Sequence, residues 1–361
     1  MLFEGFSLRG LRLDNRLVRS ATYEKRADID GFVTDSLVRF YTELAEGGVG
    51  LIITGNVLVH VSGRSVQKML CIHNDFYTPK LRRLTDAIHA RGGKVVIQLV
   101  HGGRQCFPAL LGGLEPIAPS AVYDPSTKVT PREMTNEEIW EVIEAFGDAA
   151  RRAMHAGFDG LQIHGAHGYL VSEFLSPHTN RRDDYWGGDE ERRFHFVEEV
   201  YKVVRDEVGY QHPVMIKMNA DDFVENGISV GESARMAKRI EALGMDAIEV
   251  SGGIYESGSK TAQPDILRPE QEAYFRSAAR EFKGAVNIPI MLVGGIRSRT
   301  VAEDIIRKGD ADLVAMSRPL IREPDLPNKF REGKETADCI SCNGCLRFTK
   351  LDVVKCTQLE Q

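Results

Sequence analysis

The densest run of reactive side chains in the sequence is His164-Gly-Ala-His167-Gly-Tyr169. Two imidazoles three residues apart could share a metal ion, donate ring N–H groups to one substrate oxygen, or simply pack. A metal would need a further histidine or a carboxylate close by, and none stands out among the neighbouring segments. Two N–H donors converging on one oxygen would act as an oxyanion hole. Tyr169 carries a phenol whose ordinary pKa of about 10 keeps it a proton donor at neutral pH. Polarising donors beside a weak acid suit the addition of hydride and proton across an activated C=C bond. Tyr169, His164 and His167 are therefore the catalytic candidates, and the two histidines are also candidates for holding substrate.

Other residues suggest what would work beside them. Lys217 stands in the short apolar run Val214–Met218, and reads either as a Schiff-base lysine or as a fixed cation facing an electron-rich ring. Gln98 favours the second reading, because an amide that both donates and accepts matches the pyrimidine edge of a flavin. Gly252-Gly253, Gly294-Gly295 and Ser317-Arg318 each follow a short apolar run. Glycine lets backbone N–H groups approach an anion closely, and Arg318 could clamp phosphate oxygens through its fork. Any one glycine pair is explained by a turn. Two such pairs and a Ser-Arg in successive units point to a phosphate pocket. The last 23 residues hold Cys339, Cys342, Cys345 and Cys356 in the spacing C-x₂-C-x₂-C-x₁₀-C. Such thiolates suit an iron–sulfur cluster or zinc, the alternative being a tail of free thiols.

These residues need a scaffold, and the sequence repeats one. An amphipathic helix, a glycine and a short apolar strand recur at Glu46-Gly-Gly-Val-Gly-Leu-Ile-Ile, Ala156-Gly-Phe-Asp-Gly-Leu-Gln-Ile, Leu243-Gly-Met-Asp-Ala-Ile-Glu-Val and Lys308-Gly-Asp-Ala-Asp-Leu-Val-Ala. The glycine suits the left-handed position that ends a helix, and so continuously apolar a strand is buried on both faces. Eight strands are predicted, near Arg16–Ser20, Val49–Gly55, Lys94–Val100, Gly160–His164, Val214–Met218, Ala247–Ser251, Ile288–Val293 and Leu313–Ser317. Thr135 and Glu138 form a capping box before a stripe of Ile139, Ile143, Phe146, Ala150 and Ala153; Phe194, Val197, Tyr201, Val204 and Val208 make another. Eight β/α units predict a closed (β/α)8 TIM barrel rather than a doubly wound sheet, since no G-x-G-x-x-G opens a helix after an early strand. The barrel is expected over residues 1–330, with a cysteine-bearing tail over 331–361. Two long connections, Gly102–Thr135 and Gly168–Asp189, are expected to cover the site.

Composition narrows the partners. A net charge of −6 gives no basic footprint for nucleic acid or anionic lipid. No apolar run approaches the roughly 18 residues of a membrane helix, and the start shows no basic segment leading into an apolar one. Crowded rather than evenly spaced cysteines fit a reducing compartment, so a cytoplasmic location is expected. The chain itself leaves oligomeric state open.

Jointly, the chain resembles the old yellow enzyme family, the NADH:flavin oxidoreductases. The resemblance runs through Asn15-Arg16 with Ser20-Ala21-Thr22, Gln98-Leu-Val-His101-Gly-Gly-Arg104, His164 to Tyr169 with Leu170, Arg181 to Asp184 with Tyr185-Trp-Gly-Gly, Gly294-Gly295 and Ser317-Arg318. It implies FMN held by Ala21, Thr22, Asn56, Gln98, Lys217, Gly253, Gly294, Gly295, Ser317 and Arg318, with NAD(P)H as reductant. It implies that His164 and His167 hold a substrate oxygen, and that Tyr169 supplies the proton opposite the hydride. Two positions depart from the pattern. Lys217 stands where many relatives have arginine, keeping the charge but losing the fork. Tyr23, a candidate substrate contact, stands where relatives often have cysteine or threonine. The tail resembles that of the 2,4-dienoyl-CoA reductases and trimethylamine dehydrogenase, whose four cysteines hold a [4Fe–4S] cluster. The expectation is an ene-reductase acting on a small electrophilic alkene. Its rivals are an electron-transfer module passing electrons through a tail cluster to a separate partner protein, and a barrel lyase.

Overall fold

The computed structural model describes residues 1–359. Eight parallel strands close on themselves: β1 Leu17–Arg19, β2 Leu51–Leu58, β3 Val95–Val100, β4 Leu161–Gly165, β5 Val214–Asn219, β6 Ala247–Ser251, β7 Ile290–Leu292 and β8 Leu313–Met316. Each pairs with the next, and β8 pairs with β1 through Val314–Leu17, Ala315–Val18 and Met316–Arg19. A ring of parallel strands has no exposed edge, and helices packed outside it bury its second face. The (β/α)8 barrel follows, as expected from the repeat.

The turn chemistry is where the repeat puts it. Gly48, Gly157, Gly244 and Gly309 all have positive φ, between 70° and 96°, so each helix-to-strand reversal occupies backbone space that a Cβ would strain. Helix α1 covers Asp35–Glu46, α2 Thr78–His89, α3 Asn136–His155, α4 Leu170–Leu175, α5 Glu190–Val208, α6 Val230–Leu243, α7 Arg276–Ala285 and α8 Arg299–Arg307. The Thr135–Glu138 capping box opens α3, and the apolar stripes of α3 and α5 are buried. Strand β2 departs from expectation. It starts at Leu51 and runs to Leu58, because a register shift between Ile53 and Asn56 lets pairing with β3 resume. Thr54 Oγ1, inside that irregularity, accepts the Gln98 N–H at 3.0 Å.

The barrel interior is layered. An antiparallel hairpin, Phe6–Leu8 with Leu11–Leu13, plugs the end where the strands begin. Its Leu8, Leu11 and Leu13 pack with inward residues including Val18, Ile53, Val96, Met215, Met291 and Ala315. Burying each leucine stabilises by about 2 kcal/mol. Further along five of the strands the inward positions turn polar: Ser20, Gln98, Gln162, Lys217 and Glu249, all buried. Inward side chains recur at every second residue, so an apolar floor and a polar layer above it come from the same strands.

The predicted covering segments are folded. Residues 102–135 contain two short 3-10 turns and a pair of two-residue strands, Ile117–Ala118 and Arg132–Glu133. Residues 168–189 contain α4 and the buried Trp186, whose Nε1 donates to Asn136 Oδ1 at 2.8 Å.

Candidate active site at the carboxyl ends of the strands

The polar layer is a connected chain of hydrogen bonds. Gln98 Nε2 donates to Gln162 Oε1 at 2.7 Å, and Gln162 Nε2 donates to Glu249 Oε2 at 2.9 Å. Ser20 Oγ donates to the other carboxylate oxygen at 2.6 Å, and Lys217 Nζ reaches Ser20 Oγ at 2.9 Å and Glu249 Oε1 at 3.1 Å. Burial lowers the pKa of Lys217, and Glu249 opposes that shift. Gln98 and Lys217, both predicted, are thus joined through three residues to which the sequence reading gave no role. A glutamate in Ala-Ile-Glu-Val-Ser and a glutamine in Leu-Gln-Ile-His were the available signals: polar residues at inward positions of otherwise apolar strands.

One step closer to the strand ends lies the histidine pair. His164, on β4, is in register with Lys217 on β5. Its Nδ1 accepts the Ala166 N–H at 3.4 Å, so Nε2 carries the ring proton and remains available to donate. His167 follows at φ 64°, its N–H held by Asn219 Oδ1 at 3.1 Å and its Nε2 at 2.7 Å from Ser251 Oγ. The ring centroids stand 5.3 Å apart, edge to face. Burial lowers both histidine pKa values, with the Lys217 cation adding to the effect: well below the ordinary value for His164, to about 3 for His167. Both are neutral donors at physiological pH. Tyr169 packs edge-on to His164, 4.9 Å between centroids, and burial pushes its hydroxyl up to about 12, against a smaller pull from Ser65. The three predicted residues therefore share one wall.

Tyr23 stands at the rim. Its hydroxyl donates to the Gln67 carbonyl and its ring meets Phe348 edge-on at 5.2 Å. Burial raises its pKa, with Glu24 and then Tyr169 adding to the shift. His101, which follows β3, is wholly buried. Its Nε2 lies 2.9 Å from Ser62 Oγ and its Nδ1 accepts the Gly103 N–H at 3.1 Å. Both its nitrogens are spent on the fold.

Across the mouth, Thr22 Oγ1 and Ser317 Oγ lie 2.6 Å apart, tying the ends of β1 and β8 together. Ala21 packs against the inner core, and Asn56 is buried with its Oδ1 lacking a partner. Gly253 has φ 83° and Gly295 φ 71°. A Cβ on the first would sit 2.4 Å from Thr261 Oγ1, and on the second 2.8 Å from Tyr274 Cε1. Gly294 lies against Phe275 and Tyr274 in the same way. Arg318 is buried at the end of β8, and its Nη1 is engaged by the tail and by the segment after β6: it donates to Asn343 Oδ1 at 2.6 Å and Ser341 O at 3.4 Å in the tail, and to Gln263 O at 2.7 Å.

The tail is laid over this same end of the barrel. Ala337 N–H donates to Arg297 O, Val354 N–H to Glu24 O, and Lys25 Nζ to the carbonyls of Phe348 and Leu351. Cys339, Cys342, Cys345 and Cys356 line one small cavity with Arg318 and Arg322. All six thiols of the chain are free. Burial raises the pKa of Cys339 and lifts that of Cys345 to about 12. Among the described residues, no three His, Cys, Asp or Glu are grouped so as to hold a metal ion. No helix among them is long and apolar enough to cross a membrane.

Comparison with known proteins places this arrangement. The chain is 42% identical over 349 residues to the NADH oxidase of Thermoanaerobacter brockii, an alignment that covers 96% of this chain and 53% of that protein. Its fold superposes on a 2-naphthoyl-CoA reductase complex with a TM-score of 0.89 at 31% identity, covering 96% of this chain and 54% of the other. It superposes on an old yellow enzyme homologue from Zymomonas mobilis with a TM-score of 0.80 at 26% identity, covering 94% and 95%. The chain thus spans about half the length of the first two and nearly all of the third. The model of the NADH:flavin oxidoreductase / NADH oxidase family matches residues 1–337, and the chain belongs to that family.

Proposed function

We propose that the chain is an NAD(P)H-dependent, FMN-containing reductase of activated C=C bonds, such as those of α,β-unsaturated carbonyl compounds. The observation that supports the reading is the His164–His167–Tyr169 cluster: two imidazoles that burial holds neutral and a phenol that burial holds protonated, packed edge to face, with His164 in register with Lys217 on the next strand.

The residues present fit a flavin mononucleotide. Asn56 Oδ1 is a buried acceptor without a donor. Gln98 uses one amide N–H on Gln162 and keeps its carbonyl oxygen free of any protein donor. Gly253, Gly294, Gly295, Ser317 and Arg318 would hold the phosphate, Ala21, Thr22, Asn56 and Gln98 the ring system, and Lys217 the ring's electron-rich edge. When bound, FMN supplies a hydride acceptor for NAD(P)H and a hydride donor for the alkene. The protein's own part is to orient and to protonate. His164 Nε2–H and the His167 ring hold the substrate oxygen and draw charge onto it. Tyr169 gives its hydroxyl proton to the carbon next to that carbonyl, and Tyr23 borders the substrate at the rim.

A lyase reading loses ground because Lys217 Nζ is engaged by Ser20 and Glu249. A second reading keeps one observation in its favour: four thiols around one cavity beside Arg318. A [4Fe–4S] cluster there would pass electrons to a separate partner. An absorbance spectrum and iron analysis of anaerobically purified protein, followed by turnover with NAD(P)H and cyclohexenone, test both. Flavin with enone turnover supports the reductase. Flavin and iron without enone turnover favours electron transfer, and a colourless protein overturns both.

A further inference from the structure

Glu249 is the least expected residue in the barrel. It is wholly buried, sits on β6 between apolar neighbours, and belongs to neither the histidine wall nor the phosphate turns. It accepts from Ser20 Oγ at 2.6 Å, from Gln162 Nε2 at 2.9 Å and from Lys217 Nζ at 3.1 Å. A carboxylate with three donors on its two oxygens can only accept, and that imposes a direction on everything attached to it.

Consider the amides first. Gln162 must turn its NH₂ toward Glu249, so its Oε1 faces Gln98, and Gln98 must answer with its own NH₂ at 2.7 Å. The Gln98 carbonyl oxygen is then the group left for a ligand. A flavin presents one N–H on its pyrimidine edge, between two carbonyl oxygens, and an acceptor is what that N–H requires. Charge follows the same route. Lys217 is a buried cation in contact with a buried anion, so the pair delivers far less positive potential to a neighbouring ring than a lysine alone.

We propose that Glu249 is a positioning residue for the flavin: it fixes the acceptor face of Gln98 and damps the Lys217 charge, holding the reduction potential of the bound cofactor low. The inference rests on the FMN reading above, and it concerns residues to which neither family membership nor the site motifs give a role.

The test is the midpoint potential of the FMN-loaded full chain, with the flavin dissociation constant measured alongside. Glu249→Gln removes the damping anion, so the reduced, more negative flavin gains about tenfold over the oxidised form, about 30 mV upward for a two-electron couple. Lys217→Met leaves the anion unopposed and shifts the potential downward. The double variant, which holds no lone buried charge, lies between the two. Should Glu249→Gln fail to fold, the double variant must still lie above Lys217→Met. Opposite signs in the single variants support the assignment, because a merely structural role has no reason to produce them. Flavin bound with unchanged potentials, or with both singles shifted the same way, overturns the Glu249 assignment alone. Wild-type protein that binds no flavin overturns the cofactor reading, and this inference with it.

Discussion

Replacing Tyr169 with phenylalanine separates the two halves of the proposed reaction. The hydroxyl is pushed from 10 to about 12 by burial, a bias against the phenolate on the order of 3 kcal/mol. The phenol therefore stays loaded with its proton at every pH where the protein would be assayed. Phenylalanine keeps the ring that packs 4.9 Å from His164 and deletes the hydroxyl, and with it the proton. Loss of a general acid lowers a rate by about 10² to 10⁴, or roughly 3–5 kcal/mol in the barrier.

Anaerobic stopped-flow at the flavin absorption band measures each half-reaction alone. Reduction by NAD(P)H needs no proton from Tyr169 and should keep its rate in the variant. Reoxidation by an enone should fall by the factor above, with enone affinity nearly unchanged. In the wild type, reoxidation should be flat between about pH 5 and 10, because His167 titrates near 3 and Tyr169 near 12. Equal losses in both half-reactions, or a wild-type inflection near pH 7 that the variant abolishes, would refute the assignment.

Three further outcomes follow from the site. His164→Ala removes the Nε2–H donor and should weaken binding of p-hydroxybenzaldehyde, a phenol that mimics the polarised oxygen, by about tenfold (~1.4 kcal/mol) in a flavin-perturbation titration; unchanged affinity counts against the oxygen-binding role. His101, His164 and His167 are held neutral by burial, with pKa lowered to about 3 for the first and last. Their stabilising contribution is complete above the unfolded pKa of about 6.5 and drains away as pH falls, on the order of 2 kcal/mol by pH 5 for His101 and for His167, so the urea midpoint should drop between pH 7 and 5. Cys345→Ser should lower the iron content of anaerobically purified protein while leaving FMN in place if the tail holds a cluster; iron equally absent from wild type and variant removes the cluster reading.

Much of the scaffold was legible because it is written locally. The glycines at 48, 157, 244 and 309 mark helix ends, and the strands that follow are apolar throughout, so both the β/α repeat and its closure could be read. The grouping of His164, His167 and Tyr169 was legible for a related reason: they are neighbours in sequence, and the turn after β4 keeps them neighbours in space. What was not legible depends on closure of the ring. Ser20 and Glu249 are 229 residues apart, and nothing in either segment announces the other. Period-two alternation says that Glu249 and Gln162 face inward; only the register of adjacent strands says that they meet. His101 makes the same point: it follows β3 in one of the motifs that carry the family resemblance, and only tertiary packing shows Ser62 and Gly103 at its two nitrogens.

Arg318 is where the barrel and the tail become one problem. Read from the sequence it is a phosphate clamp at the end of β8; in the fold its Nη1 grips Gln263, Ser341 and Asn343, and it borders the cavity of the four cysteines. A planar guanidinium offers five N–H donors, so gripping the tail with one nitrogen leaves others for an anion. Under the proposed function, the same side chain would hold the cysteine loop and the cofactor phosphate. The tail is then part of the wall of the flavin site, since the Ser341 carbonyl and Asn343 help set the angle at which Arg318 presents its remaining donors. This arrangement needs no electron transfer to explain why the tail is packed over the mouth. It also gives a cluster, if one is assembled there, a place one side chain away from the flavin phosphate.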